Sequence, residues 1–260
     1  MIDIQNQPDF RKIPIDKVGI KGLKYPVKVL DKTKGIQSTV AEICMYVDLP
    51  HQCKGTHMSR FVEILHSSRT QVSLESLTTI LGDMKTILGA ESSHIEITFP
   101  YFIEKKSPSI GAKGLMDYTC SIFGSSDAKN NTDIILKVAV PVTSVCPCSK
   151  EISDCGAHNQ RGEVLVNTRF KKLIWIENIV DIVEKAASCD IFSVLKREDE
   201  KFVTEKAYNN PKFVEDIARD VAKVLMEDEN ITWFSVSAEN FESIHNHSAY
   251  AYIQGGKTPK

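Results

Sequence analysis

One order of elements, met twice along 260 residues, constrains this chain more than any single motif. Two extended runs open it, at 25–31 and 40–49, and period-two alternation in the second puts Val40, Glu42, Cys44 and Tyr46 on one face. Helical spacing follows. Met58, Phe61, Val62 and Leu65 form one stripe starting near His57. Leu74, Leu77, Leu81, Met84 and Leu88 form another behind Ser73, a good N-cap residue. Strands at 94–103 and 115–124, joined by a loop rich in Lys, Ser, Pro and Gly, complete a ββααββ order. After the polar stretch 125–132 the order returns. Strands are expected at 133–142 and 163–170, the first with Ile134, Leu136, Val138 and Val140 on one face. A helix at 176–187 turns Ile176, Ile179, Val180 and Val183 inward. A longer one is capped by Asn210, starts at Pro211 and buries Phe213, Ile217, Val221 and Val224. Strands at 231–239 and 247–253 finish the chain. No residues repeat between the halves, so the duplication is one of pattern. The expected fold class is α+β: two ββααββ modules, antiparallel sheets with helices packed on one face, at 1–130 (with an N-terminal arm) and 131–260. Open strand edges in such modules commonly pair with another subunit.

Composition narrows the function classes. The chain is 42% hydrophobic and 25% charged, an ordinary globular balance that excludes a collagenous or largely disordered protein. Its 32 basic and 34 acidic residues nearly cancel, which argues against a nucleic-acid partner, though a local basic patch stays open. No stretch approaches the roughly 20 apolar residues of a membrane span, and the N-terminus lacks the pattern of a secretory signal. The expectation is a cytoplasmic protein without a membrane partner. Seven cysteines, an odd number without regular spacing, do not form a disulfide framework. Three of them, Cys146, Cys148 and Cys155, crowd into ten positions.

No Gly-rich phosphate loop and no G-x-S-x-G elbow is present. What stands out is Cys146-Pro147-Cys148-Ser149-Lys150-Glu151, then Cys155-Gly156-Ala157-His158-Asn159-Gln160-Arg161-Gly162. A Cys and a His on either side of a polar loop between two strands can converge, and thiolate and imidazole suit zinc and related divalent ions. Three readings stay open on spacing alone. These are core cysteines with a hydrogen-bonded loop histidine, a closed structural zinc site of Cys146, Cys148, Cys155 and His158, or an open catalytic site completed by ligands from elsewhere.

Candidate distal ligands exist. Ile244-His245-Asn246-His247-Ser248 brackets the start of the last strand with two imidazoles, and Lys196-Arg197-Glu198-Asp199-Glu200-Lys201 is a charge run in the loop before the long helix. Glu215 lies in that helix, where composition alone makes it a surface residue. In Lys54-Gly55-Thr56-His57-Met58-Ser59-Arg60, cationic and hydroxyl groups surround a helix start. Free N–H groups and the dipole favour anions there, and an N-cap with surface charges is the plainer alternative.

Taken together these stretches resemble type IB GTP cyclohydrolase I. The resemblance rests on Thr143-Ser-Val-Cys-Pro-Cys-Ser-Lys-Glu-Ile-Ser153, Gly156-Ala-His-Asn-Gln-Arg-Gly162, Lys54-Gly-Thr-His-Met-Ser-Arg-Phe61, Leu195-Lys-Arg-Glu-Asp-Glu-Lys201 and Ile244-His-Asn-His-Ser-Ala-Tyr250, with Ile15–Lys21 and Tyr25-Pro26. It covers nearly the whole chain. Cys155 departs from it, standing where a bulkier residue is expected, which argues against Cys155 as a required ligand.

The resemblance implies tandem tunnelling-fold modules in a homotetramer with active sites at subunit interfaces. It implies metal ligands at Cys146, His158, Glu200 and His245, and a purine-anchoring glutamate at Glu215. The implied cofactor is one divalent ion per site, Zn²⁺ or Mn²⁺, with Fe²⁺ also compatible with a mixed S/N/O set. The implied substrate is GTP: its guanine ring is hydrolysed at C8, formate leaves, and the ribose carbons close the pterin ring of 7,8-dihydroneopterin triphosphate. Such proton transfers need a group titrating near 7, which points to His158 and His247 beside Cys146 as catalytic candidates. With no phosphate loop, the triphosphate falls to Lys54, Arg60, Lys150 and Arg161. Two competing readings follow: the same chemistry giving a cyclic phosphate of dihydroneopterin, and a zinc-stabilised nucleotide-binding module without turnover.

Overall fold

The computed structural model describes residues 5, 7, 9–68 and 71–256. Within them lie nine strands and six helices. The class is α+β, as expected, and the helices carry what the alternating strands cannot bury. No helix of the described residues is long and apolar enough to cross a membrane.

Two compact units divide the chain, residues 1–100 with 121–136, and residues 101–120 with 137–260. Neither is one contiguous segment, because β4 (Ser93–Lys106), β5 (Lys113–Ser126) and β6 (Thr132–Val145) each contribute residues to both.

In the first unit β1 (Ile15–Asp31) pairs antiparallel with β2 (Gly35–Leu49), and β2 with β4. The two-residue β3 (Gln71–Val72) adds a parallel edge to β1. Asp31 closes the β1–β2 turn by accepting the N–H groups of Thr33 at 2.8 Å and Lys34 at 2.6 Å. The core face of β2 is Ala41, Ile43, Met45, Val47 and Leu49, whereas Val40 is exposed. Cys44 is also buried, so this strand is covered on both sides in the middle and simple alternation fails there. Helix α1 (Met58–Ser67) buries Phe61, Ile64 and Leu65. Its expected stripe members Met58 and Val62 lie outward. Helix α2 (Leu74–Leu88) starts at Ser73, whose hydroxyl accepts the Ser76 N–H, and stops at Gly89 in the left-handed region. Leu77, Ile80, Leu81 and Met84 are its buried stripe.

In the second unit β7 (Asn159–Phe170), β8 (Ile231–Asn240) and β9 (Ala249–Gly256) follow β6 in sheet order, with antiparallel pairing from β7 to β9. Helix α4 (Ile176–Ala186) buries Ile176, Ile179, Val180 and Val183, the four expected positions. Helix α6 (Val214–Glu227) packs on β8, β9 and α4. Its stripe is Val214, Ile217, Ala218, Val221, Ala222 and Leu225, with Phe213 and Val224 exposed.

Three expectations are corrected here. The charge run 197–201 is not a loop but the first turns of α5 (Arg197–Asn209). Asn210 is therefore the C-cap of α5, and α6 begins after Phe213, whose N–H donates to the Asp216 carboxylate at 3.0 Å. Pro211 sits in the link between the two helices, and the start of α6 is closed by the Asp216 carboxylate on the N-cap Phe213 rather than by Asn210. Finally, His247 lies in the exposed bend between β8 and β9; the last strand starts at Ala249. A short helix α3 (Pro147–Ile152) was not expected at all.

Candidate active site

The chain folds the Cys146 and His158 backbones against each other. β6 ends at Val145, and Pro147, with its fixed φ and missing N–H, starts α3. Cys146 is the N-cap: its Sγ accepts the Ser149 N–H at 3.5 Å. Ser149 Oγ donates to the Cys146 carbonyl at 3.1 Å and accepts the His158 N–H at 3.2 Å. The Cys146 N–H donates to the His158 carbonyl at 3.1 Å. Thiol and imidazole residues twelve positions apart in sequence are thus joined through one serine and one direct backbone bond.

Two glycines make this return path possible. Gly156 has φ +77°, a conformation that costs a residue with a Cβ about 1–2 kcal/mol. At Gly162, where β7 passes β8, an added Cβ would stand 2.7 Å from the Glu239 carbonyl and 2.7 Å from Asn240 Oδ1. The segment carrying His158 is held between them.

His158 is half-buried. Its Nδ1 lies 2.9 Å from Gln160 Oε1 and 3.9 Å from Glu242 Oε2. A thiol at Cys146 and an imidazole at His158 are donors of the kind a zinc-like ion takes. Among the described residues, no three or more His, Cys, Asp or Glu side chains form a metal-holding group. Neither the closed four-ligand zinc alternative nor the set Cys146, His158, Glu200 and His245 is therefore assembled among these residues, and Cys148 and Cys155 are both exposed.

Glu200 is exposed in the first turn of α5. Its neighbour Asp199 is fully buried and accepts the N–H groups of Lys196, Ser109 and Ile110 at 3.0, 2.8 and 3.1 Å. Glu215 is exposed in the first turn of α6. His245 and His247 are exposed in the β8–β9 bend with their rings stacked, centroids 5.1 Å apart. Among the cations, Lys150 Nζ donates to the Tyr208 carbonyl at 2.6 Å and sits over the Tyr208 ring. Arg60 donates to the Ile87 carbonyl at 3.0 Å, at the end of α2. Lys54 and Arg161 are exposed.

Spacing does not reveal Ser149, Gln160 or Glu242 around His158, nor Asp199 beside Glu200. Only Asp199 carried a signal, an acid three residues into a helix start, and the helix itself was not expected. A cavity of about 410 Å³ reaches the same segment, lined by Thr143, Ala157, Asn159, Cys189 and Tyr208 among others, so both neighbours of His158 face it. Burial pushes the Cys189 thiol there up to about 11, which leaves it protonated at neutral pH.

The family described as type I GTP cyclohydrolase folE2 matches residues 1–251. The GTP cyclohydrolase FolE2 of Desulfosudis oleivorans is 62% identical over 257 residues, covering 99% of each chain. That of Syntrophus aciditrophicus is 59% identical over 254 residues, covering 98% of this chain and 99% of the relative. Among solved structures, the uricase of Arthrobacter globiformis covers 94% of each chain at a TM-score of 0.55 and 7% identity. A hyperthermostable Bacillus sp. TB-90 urate oxidase mutant covers 94% of this chain and 99% of its own at 0.56 and 9%. At such identities the likeness is one of fold.

Proposed function

The chain belongs to the type I GTP cyclohydrolase folE2 family, and from that premise we propose that it converts GTP and water to 7,8-dihydroneopterin triphosphate and formate, a step of folate and pterin biosynthesis, as a cytoplasmic enzyme. The observation that carries the site assignment is the clasp between Cys146 and His158 through Ser149. It joins the backbone of the thiol residue to that of His158, one of the two histidines that the family resemblance assigns to metal.

In this reading Cys146, His158, Glu200 and His245 hold one Zn²⁺ or Mn²⁺, with Fe²⁺ as a third choice for the same mixed donors. When bound, such an ion supplies Lewis acidity and lowers the pKa of water to about 7. Glu215 binds guanine: one carboxylate accepts both N1–H and the 2-amino group, and the charge strengthens both bonds. Adenine, without an N1–H, is rejected because the carboxylate would be left unmatched. His247 moves protons during ring opening and closure, the general acid–base task for which imidazole is the commonest side chain. Arg161 and Lys54 meet the triphosphate with their exposed cationic ends. Lys150 and Arg60 join them with donors left over from the Tyr208 and Ile87 carbonyls.

The architecture that goes with this reading is a pair of tandem tunnelling-fold modules, residues 1–130 and 131–260, assembled as a homotetramer with active sites at subunit interfaces. The recurrence of paired strands, helices and paired strands along the chain supports the modules. The exposed positions of Glu200, Glu215, His245 and His247 are what a site completed by a partner subunit requires. Cys146→Ala and His158→Ala test the assignment. Each is expected to reduce formate release to background while circular dichroism stays that of the parent. Full activity in both would refute the metal site.

A further inference from the structure

An imidazole ligand must present a lone pair, and which of its nitrogens does so depends on the partner of the other. In this chain the partner is a side chain rather than water. His158 immediately precedes β7 and Gln160 is the second residue of that strand, and their side chains meet on one side of it. Gln160 is 7% exposed and Ser144, on the adjacent strand, is 0% exposed. The Gln160 amide spans the two: Nε2 donates to Ser144 Oγ at 2.9 Å, and Oε1 lies 2.9 Å from His158 Nδ1.

That arrangement fixes a proton. With its NH₂ turned to Ser144, the amide offers the imidazole only a carbonyl oxygen, which accepts and cannot donate. The Glu242 carboxylate, 3.9 Å from the same nitrogen, also favours a proton there. Both acceptors lie on the Nδ1 side, and the neutral ring then carries its lone pair on Nε2. The residue is pinned at its backbone as well, by the Cys146 N–H on its carbonyl and by Ser149 Oγ on its N–H. Tautomer and ring position are thus set before any ion arrives.

We infer that Gln160, braced by Ser144, is a positioning residue that holds His158 as its Nδ1–H tautomer and turns the Nε2 lone pair toward the metal. The inference rests on the reading of His158 as a ligand. Its physical warrant is that ligating histidines hand their other N–H to a fixed acceptor, and that removing such an acceptor costs about 10–100-fold in metal affinity.

The test uses the full chain labelled with ¹⁵N-histidine and freed of metal, with the His158 signals assigned by their loss in His158→Asn. The parent is expected to show a protonated Nδ1 and an unprotonated Nε2. Gln160→Leu, which keeps the bulk and loses the acceptor, is expected to move the proton to Nε2. It should also weaken Zn²⁺ binding about 10–100-fold in competition with a chromophoric chelator. Gln160→Glu retains an acceptor and is expected to restore both. A parent spectrum with Nε2 protonated overturns the inference without any variant, and so does an unchanged tautomer in folded Gln160→Leu. If the proton moves while Zn²⁺ affinity does not, the hold of Gln160 on the ring stands and the reading of His158 as a ligand falls.

Discussion

Asp199 Oδ1 accepts the backbone N–H of Ser109 at 2.8 Å, fastening the first turn of α5 to the loop between β4 and β5. The same carboxylate accepts the N–H groups of Ile110 and Lys196. Glu200, the next residue, takes its place on the helix from this anchor. A buried acid that looks from sequence like one more solvated charge thus sets where a proposed ligand stands.

The anchor has a pH signature. Burial alone would raise the Asp199 pKa, but the bonds from Lys196, Ser109, Ile110 and Ser107 outweigh it and hold the carboxyl below its usual range. The folded state then binds fewer protons than the unfolded one. Stability from this group is present above the unfolded value of about 3.9 and is lost as pH falls through the depressed folded value. Asp199→Asn is expected to lower the urea midpoint at pH 7, with a gap to the parent that narrows below about pH 4. A gap independent of pH would contradict this.

A second buried network predicts a larger effect. Lys105 Nζ bonds Glu184 at 2.7 Å, Asp190 at 3.1 Å and the Ile191 carbonyl at 2.9 Å. Burial pushes the Glu184 carboxyl above its usual range even with Lys105 and Tyr118 bonded to it. Lys105→Met strands the buried Glu184 carboxylate beside Asp190, which keeps only Lys206 at 2.8 Å, and is expected to cost about 3 kcal/mol by urea unfolding. Adding Glu184→Gln to that variant is expected to return part of the loss, because one stranded charge is gone.

These two networks mark where the sequence was legible and where it was not. Ser73 caps α2 as its hydroxyl dictates, and α4 buries the four residues its spacing names. Helix α5 was invisible because it has almost no apolar face: only Asp199 and Ala207 are buried along it, and it starts on a carboxylate cap. The first ten residues of β1 are largely exposed and do not alternate, so periodicity finds the strand only from residue 25 although it starts at Ile15. At the site, spacing offered Cys146 and His158 as partners. It could not reveal Ser149 between them or Gln160 behind the ring, since both contacts depend on how β6 and β7 are placed.

The glycines of the His158 segment separate strain from collision. Gly156→Ala forces a left-handed conformation into open space and is expected to cost about 1–2 kcal/mol. Gly162→Ala drives a methyl group into the Glu239 carbonyl, so the β7–β8 pairing must shift. It is expected to reduce formate release more than Gly156→Ala at matched folded fraction. Equal activity of the two, measured per folded chain, would refute the coupling of Gly162 to the site.

The cations are expected to divide by KM. Arg161 is exposed, and Arg161→Ala should raise the KM for GTP about tenfold, the loss of roughly one charge-assisted contact. Lys150 is tied to the end of α5 through the Tyr208 carbonyl and ring, so Lys150→Ala should lower the thermal midpoint as well. Steady-state kinetics beside a melting curve for each variant reads both.

The most direct measurement is GTP turnover by metal-stripped protein before and after addition of Zn²⁺ or Mn²⁺, following formate and the fluorescence of the oxidised pterin together. No turnover is expected without metal, and both products are expected in equal amounts when an ion is restored. Folded protein that binds GTP yet yields neither product with Zn²⁺, Mn²⁺ or Fe²⁺ would contradict the proposed activity.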